Sequence, residues 1–305
     1  MSLLVVGSIG IDTVKTPVEE HSDLIGGSAS YAAVGASFFS PVKLVGVVGK
    51  DFPQSEIDFW KARKIDVDGV QIVDGKTFRW SGEYAWDLNT RETLSIALNV
   101  FEHFKPALPE SYRKTEFALL ANIAPSLQSH VLDEMEKPRF VVADTMDLWI
   151  ETTRKDLDAL LPRVDLLILN DSEARQMTKE TSLIKAGRSI RKMGPRFVAI
   201  KKGEHGALLF GENDFFSCGA YPLEDIHDPT GAGDTFAGGM AGYLAGTVGG
   251  NITFTDLRKA MIYGSVLASF TVEAFSLDRL RKLTADEIKE RYETFKLMSQ
   301  FEAEI

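Results

Sequence analysis

Asp228-Pro-Thr-Gly-Ala-Gly-Asp-Thr-Phe-Ala-Gly-Gly239 is a turn that runs directly into a helix. Asp228 precedes a proline, which keeps it out of helical backbone. Gly231 and Gly233 permit a tight or left-handed path and leave room for a ligand to approach. Asp234 and Thr235 then open an apolar, small-residue helix over residues 235–245. The product is a set of free backbone N–H groups at a helix N-terminus, which binds phosphate or a developing anion without any basic side chain. Asp234 sharpens this reading. Alone it reads as a helix cap. Inside a phosphate-binding turn a carboxylate repels the ligand unless it has chemical work to do. The natural work is accepting a proton from a hydroxyl that attacks the γ-phosphorus. The neighbouring N–H groups of Gly231, Ala232 and Gly233 would stabilise charge on the group in transfer.

Away from that turn, short apolar runs alternate with amphipathic stretches. Residues 3–7, 42–48, 118–121, 140–143, 166–169 and 197–201 read as buried strands. Residues 28–39, 55–64, 126–135, 153–161, 172–178 and 183–193 read as helices between them, with 255–272 and 285–300 closing the chain. Strands interleaved with helices predict an α/β fold with a mostly parallel central sheet covered on both faces. One region breaks the rhythm. Residues 69–99 carry Phe78, Trp80, Tyr84 and Trp86 among polar groups, and FRWSGEYAW alternates at period 2 like a half-exposed strand. Residues 12–25 also read as extended chain. The two segments predict a small β-sheet projecting from the body, either a lid over a site or an interface.

The 305 residues carry 34 Lys and Arg against 44 Asp and Glu, a net charge of -10. Such a surface is a poor general binder of nucleic acid or anionic membrane, so neither is expected as a partner. No stretch approaches a membrane span, and residues 3–6 are too short and lack the basic flank of a signal peptide. The lone Cys218 excludes an internal disulfide and any Cys-based metal site. A cytoplasmic protein is expected. Two rival phosphate motifs fail. The Gly49-Lys50 and Gly75-Lys76 pairs have Leu44 and Val70 where the P-loop pattern needs its first glycine, and Gly7-Ser8-Ile9-Gly10 has the wrong spacing for a dinucleotide fingerprint.

DPTGAGDTFAGG resembles the C-terminal signature of the ribokinase-like (PfkB) carbohydrate and nucleoside kinases, and the resemblance covers most of the chain. It implies a three-layer α/β/α fold with a small β-sheet lid, one domain over 1–305, with lid segments at about 12–25 and 69–104. It implies an ATP-dependent phosphotransferase acting on a primary hydroxyl, with Asp234 as general base. Asp12, Gly26, Gly27 and Tyr31 fall where the family grips its acceptor, and Asn170, Glu173, Lys201 and Gly203 where it holds ATP. Glu173 would hold Mg²⁺ through water, and Asp228 and Thr230 match a motif that several relatives use for a monovalent cation such as K⁺. Singly, each residue has an ordinary explanation: Asp12 a turn, Gly26-Gly27 a helix-entry turn, Asn170 and Glu173 a capping arrangement with Asp171 or Ser172 as cap, Lys201 and Lys202 a solvated strand end. Two departures stand out. Tyr31 occupies a place where many relatives have asparagine, and Ser276 is the nearest fit to a glycine found in the run 272–276. The lid aromatics and Tyr31 favour a nucleoside or riboside as acceptor. The alternatives are a simple sugar of ribose or fructose type, or a catalytically silent ligand-binding homologue. The same aromatics would also suit two lids packed in a homodimer.

Overall fold

Runs such as Leu3-Leu4-Val5-Val6 are apolar on both faces, and in the structure both faces are covered. In the computed structural model residues 1–300 are described, so positions 301–305 of the expected domain lie outside the described residues. In chain order the strands are β1 Leu3–Val6, β2 Gly10–Lys15, β3 Glu20–Gly26, β4 Val42–Gly49, β5 Ile65–Val73, β6 Phe78–Tyr84 and β7 Arg91–Ala97. They continue as β8 Phe117–Leu120, β9 Phe140–Asp144, β10 Leu166–Asn170, β11 Phe197–Lys201, β12 Ala207–Phe210 and β13 Phe215–Cys218. The large sheet has nine strands in the order β13-β12-β11-β10-β9-β8-β1-β4-β5, parallel except for the antiparallel edge β12 and β13. Leu3 and Val5 point into one apolar core while Leu4 and Val6 point into the other, which makes three layers.

The strand order reverses at β1, whose neighbours β4 and β8 both run parallel to it. A crevice opens at such a switch, outside the carboxyl ends of the strands. The loops after β1, β8, β9, β10 and β11 all end there.

The second sheet has four strands in the order β3-β2-β6-β7. It includes the alternating FRWSGEYAW segment, as β6, and the extended chain after β1, as β2 and β3. Residues 69–73, assigned to the lid from sequence, instead finish β5 at the edge of the large sheet, and Asn99–His103 is a short 3-10 helix. Of the four aromatics, Phe78 packs on Phe101, Tyr84 is buried with Val14 and Phe275, Trp80 lies half-buried beside them, and Trp86 is 86% exposed.

The helices Ser28–Ser37 and Ala232–Thr247 cross one core face at very short range. Ala32 and Ala36 meet Gly238 and Gly242, so that a Cβ built on Gly242 would lie 2.6 Å from Ala36 Cα. The contacts advance along both helices in the same direction, from Tyr31 against Gly231 to Phe39 against Gly246. The helices are therefore parallel, and both N-termini open at the crevice. Gly242→Val must push them apart, and overpacking of this kind costs about 1–3 kcal/mol. Urea unfolding should show that loss, and an unchanged midpoint would mean the helices are not in backbone contact.

Candidate active site

At the first N-terminus, Gly27 caps the helix at φ 88, with Ser8 O 2.5 Å from where a side chain would begin. Ser28 fixes the start of the helix: its N–H donates to Ser8 Oγ (3.1 Å) and its hydroxyl to Asn122 O (3.1 Å), spanning the loops after β1 and β8. At the second, Gly231 caps the helix in the left-handed region, φ 77, with the Tyr31 ring packed directly against it. Tyr31 is 2% exposed, and burial holds its hydroxyl well above the ordinary pKa. It is a floor beneath the turn. The Ala232 N–H donates to Pro229 O at 3.3 Å, while Ala232, Gly233 and Asp234 form the first turn of the helix.

Asp12 faces this turn from β2. It is 5% exposed, and its Oδ1 has no hydrogen-bond partner. Gly26 lies against the carboxylate so closely that no side chain fits there. Burial, then the charges of Asp228 and Asp234, push Asp12 up to about 7, against the pull of Arg91 and the Gly27 amide. Asp234 is also raised to about 7, by burial and then by Asp144, against Lys201 and Arg91. Two carboxyls raised to about 7 thus stand near the two helix starts, one with an unpartnered oxygen and one in the glycine turn.

The other flank is built from strand ends. Asn170 and Glu173 form a capping box: Asn170 Oδ1 accepts from Glu173 N (2.8 Å) and Glu173 Oε2 from Asn170 N (2.7 Å). The cap is Asn170 itself, not Asp171 or Ser172, because β10 runs straight into the helix Asp171–Thr178. Burial pushes Glu173 up to about 7. Lys201 Nζ reaches Asp144 Oδ2 at 3.5 Å and sits 3.0 Å from where a Gly233 side chain would begin. Burial opposes its charge, but Asp144, Glu173 and Asp234 outweigh that and raise its pKa. Gly203, at φ 55, opens the short turn after β11.

Asp228 is 1% exposed and accepts from Thr230 N (2.8 Å) and Ser276 N (3.3 Å). Ser276 has φ 56, backbone that favours glycine. The small sheet reaches over all of this. Tyr84 OH lies 3.1 Å from Thr230 Oγ1, and Asn89 Nδ2 donates to Glu204 Oε1 (3.3 Å). Burial lifts Tyr84 to about 12, so it stays protonated.

Sequence reasoning missed Asp144, Tyr84 and Arg91 as site residues. Asp144 carried a signal, a carboxylate ending a buried parallel strand. Tyr84 and Arg91 carried none beyond lying in the aromatic segment, because only sheet register brings them to the turn.

The fold is that of a ribokinase-type α/β protein, and the carboxylate cluster lies at its strand-order switch. A family model described as "pfkB family carbohydrate kinase" matches residues 3–280, and the chain belongs to that family. It is similar to a cytidine kinase from Thermococcus kodakarensis, 31% identical over 255 residues, covering 81% of this chain and 90% of that protein. A nucleoside kinase from Methanothermobacter thermautotrophicus is 27% identical over 266 residues, covering 85% and 82%. Among solved structures, the Methanocaldococcus jannaschii nucleoside kinase superimposes with a TM-score of 0.77 at 18% identity, over 96% of this chain and 98% of that one. No helix among the described residues is long and apolar enough to cross a membrane.

Asp12, Glu173 and Asp234 have ordinary values of 3.8, 4.5 and 3.8 and folded values of about 7. Between those limits the folded state binds more protons than the unfolded one, so stability falls as pH rises. The ligand-free protein should melt lower at pH 8 than at pH 6. Asp12→Asn should flatten that slope and raise the pH 8 midpoint by about 2–4 °C. A slope unchanged by the substitution would show that Asp12 is not a buried charge.

Proposed function

We propose that this protein is an ATP-dependent kinase that phosphorylates a primary hydroxyl of a nucleoside or riboside. The observation that carries the reading is the pairing, at two adjacent helix N-termini, of an unpartnered buried carboxylate with a second carboxylate inside an anion turn. Asp12 accepts hydrogen bonds from acceptor hydroxyls, filling the vacancy on Oδ1, and the Gly26-Gly27 backbone leaves space for the ring. Tyr31 supports the turn from below. Asp234 takes the proton of the attacking hydroxyl, and its value near 7 suits that exchange at neutral pH. The backbone N–H groups of Gly231 and Gly233 stabilise the transferring group, with Lys201 alongside, and that of Ala232 would join them only by leaving Pro229 O. Asn170, Glu173, Lys201 and Gly203 line the ATP side.

Glu173 and Asp144 place two buried carboxylates beside one ammonium, an excess of negative charge that fits a cation. Glu173 would hold Mg²⁺ through water, with ATP phosphates completing its shell. When bound, Mg²⁺ neutralises phosphate charge. Among the described residues no group of three or more His, Cys, Asp or Glu side chains is arranged to hold a metal. Asp228, buried and accepting from the Thr230 and Ser276 amides, and Thr230 fit a K⁺ ion in the same sense. The reading places the enzyme in the cytoplasm, with all residues from 1 to 305 serving one catalytic unit and the small sheet as its lid.

The nucleoside preference is supported by relatives named for cytidine and nucleoside phosphorylation, and by Trp80, which is in register with Asp12 on the adjacent strand. A base attached to a sugar held at Asp12 would lie near that indole. In a panel of cytidine, other nucleosides, ribose and fructose, nucleosides should give the highest kcat/KM by ADP release, and turnover of free sugars alone would reject the preference. Asp234→Asn should keep the fold and lose more than about a hundredfold in kcat. Wild-type kcat/KM should fall as pH drops through about 7, where the base gains its proton. Activity of Asp234→Asn within tenfold of wild type removes the base assignment. We also propose a homodimer through the small sheet, where edge strand β7 is exposed along its length and carries Leu94. Sedimentation should show a dimer that Leu94→Lys weakens, and a monomer at all concentrations would exclude it.

A further inference from the structure

Five carboxylates converge on the crevice: Asp12, Asp144, Glu173, Asp228 and Asp234. Two permanent cations oppose Asp234 among the described residues, Lys201 and Arg91, and they come from opposite sides. Lys201 rises from the body at β11, next to Gly233, and is held by Asp144. Arg91 comes from the small sheet, at the start of β7.

Register fixes where Arg91 stands. It is directly opposite Tyr84 on β6, and Tyr84 is the residue whose hydroxyl meets Thr230 at the head of the anion turn. Four residues back along β6, Trp80 is in register with Asp12. The Arg91 guanidinium carbon lies 5.3 Å from the centre of the Trp80 ring, which is itself anchored by Nε1 donating to Thr93 Oγ1 at 3.2 Å. Arg91 therefore stands between the lid residue that touches the turn and the one that flanks the acceptor carboxylate. Its positive charge lowers the pKa of Asp12, Tyr84 and Asp234 alike, which places its field over both ends of the reacting pair. Unlike Lys201, it has no carboxylate within 4.0 Å among the described residues. A guanidinium parked on an aromatic face is held weakly and exchanges readily for a harder anion.

We propose that Arg91 is a catalytic residue delivered by the small sheet, moving from the Trp80 face onto the oxygens of the γ-phosphoryl group as it transfers. The proposal rests on the kinase reading above. In the step, the acceptor oxygen bonds to the γ-phosphorus as the bond to the β–γ bridging oxygen breaks. The electron pair of that bond leaves with ADP, and the hydroxyl proton passes to Asp234. Charge spreads over the three remaining γ-oxygens, where a planar five-donor cation is matched in shape and sign. Delivering it on the lid makes the charge available only when the site is covered, so that water in an open site meets an incomplete catalyst.

The test compares wild type, Arg91→Ala and Arg91→Lys. Arg91 is on a fully exposed strand, so both variants should match the wild-type melting midpoint. Arg91→Ala should lose about a hundredfold or more in kcat, the scale of a lost charge-stabilising donor, while the affinity for ATP measured by calorimetry changes little. Arg91→Lys should recover part of the rate. Binding of ADP with aluminium fluoride, which mimics the transferring group, should weaken in parallel with kcat. If Arg91→Ala keeps its kcat and raises only the KM for the acceptor, Arg91 binds the acceptor and the proposal is wrong. A wild-type protein that phosphorylates nothing overturns the kinase reading and this proposal together. An active wild type with a full-speed Arg91→Ala overturns this one alone.

Discussion

The backbone contact between the helices Ser28–Ser37 and Ala232–Thr247 is the constraint on which the site depends. Two helices normally pack about 8–10 Å apart because side chains stand between them. Here Ala32 and Ala36 face Gly238 and Gly242, and the backbones touch. The parallel arrangement that results sets two N-termini side by side at the mouth of the crevice. Each contributes about half a positive charge. That polarised floor is what an otherwise acidic chain offers to an anion. Tyr31, one turn into the first helix, props Gly231 at the start of the second, so the two N-termini are also mechanically joined.

The same geometry explains why the site carries unfavourable electrostatics when nothing is bound. Asp12, on β2 of the small sheet, lies tightly against Gly26, Asp234 follows Gly233 in the body, and each sits close to other carboxylates. Burial first, and then the neighbouring carboxylates, raise the pKa of both. Strain of this kind is tolerated where the surrounding scaffold is rigid, and here the scaffold is a nine-stranded sheet with both faces filled.

What could be read from the sequence was whatever local chemistry dictates. Pro229 with Gly231 and Gly233 specified a turn and a helix start regardless of context, and unbroken runs such as Leu166–Asn170 specified buried parallel strands. β5 escaped because Asp66 and Asp68 interrupt an edge strand that buries little. The β12–β13 hairpin escaped because its four-residue strands are too short to show a period. The helix expected over 153–161 is shorter, Arg154–Leu160, and is preceded by a separate one, Asp147–Thr152. Residues such as Arg91 are illegible for a different reason. Their meaning lies in a register between strands and in the sheet's placement over a turn more than a hundred residues away, and no local pattern encodes either.

The hairpin between β6 and β7 touches the body at two separated points, Thr230 through Tyr84 and Glu204 through Asn89. One point belongs to the anion turn and the other to the turn after β11. A single hairpin therefore contacts both halves of the crevice at once. Any molecule that shifts the ribbon at one contact changes the free energy of the other, and the effect is equal in the reverse direction. The two halves of the crevice are thermodynamically linked without sharing a residue.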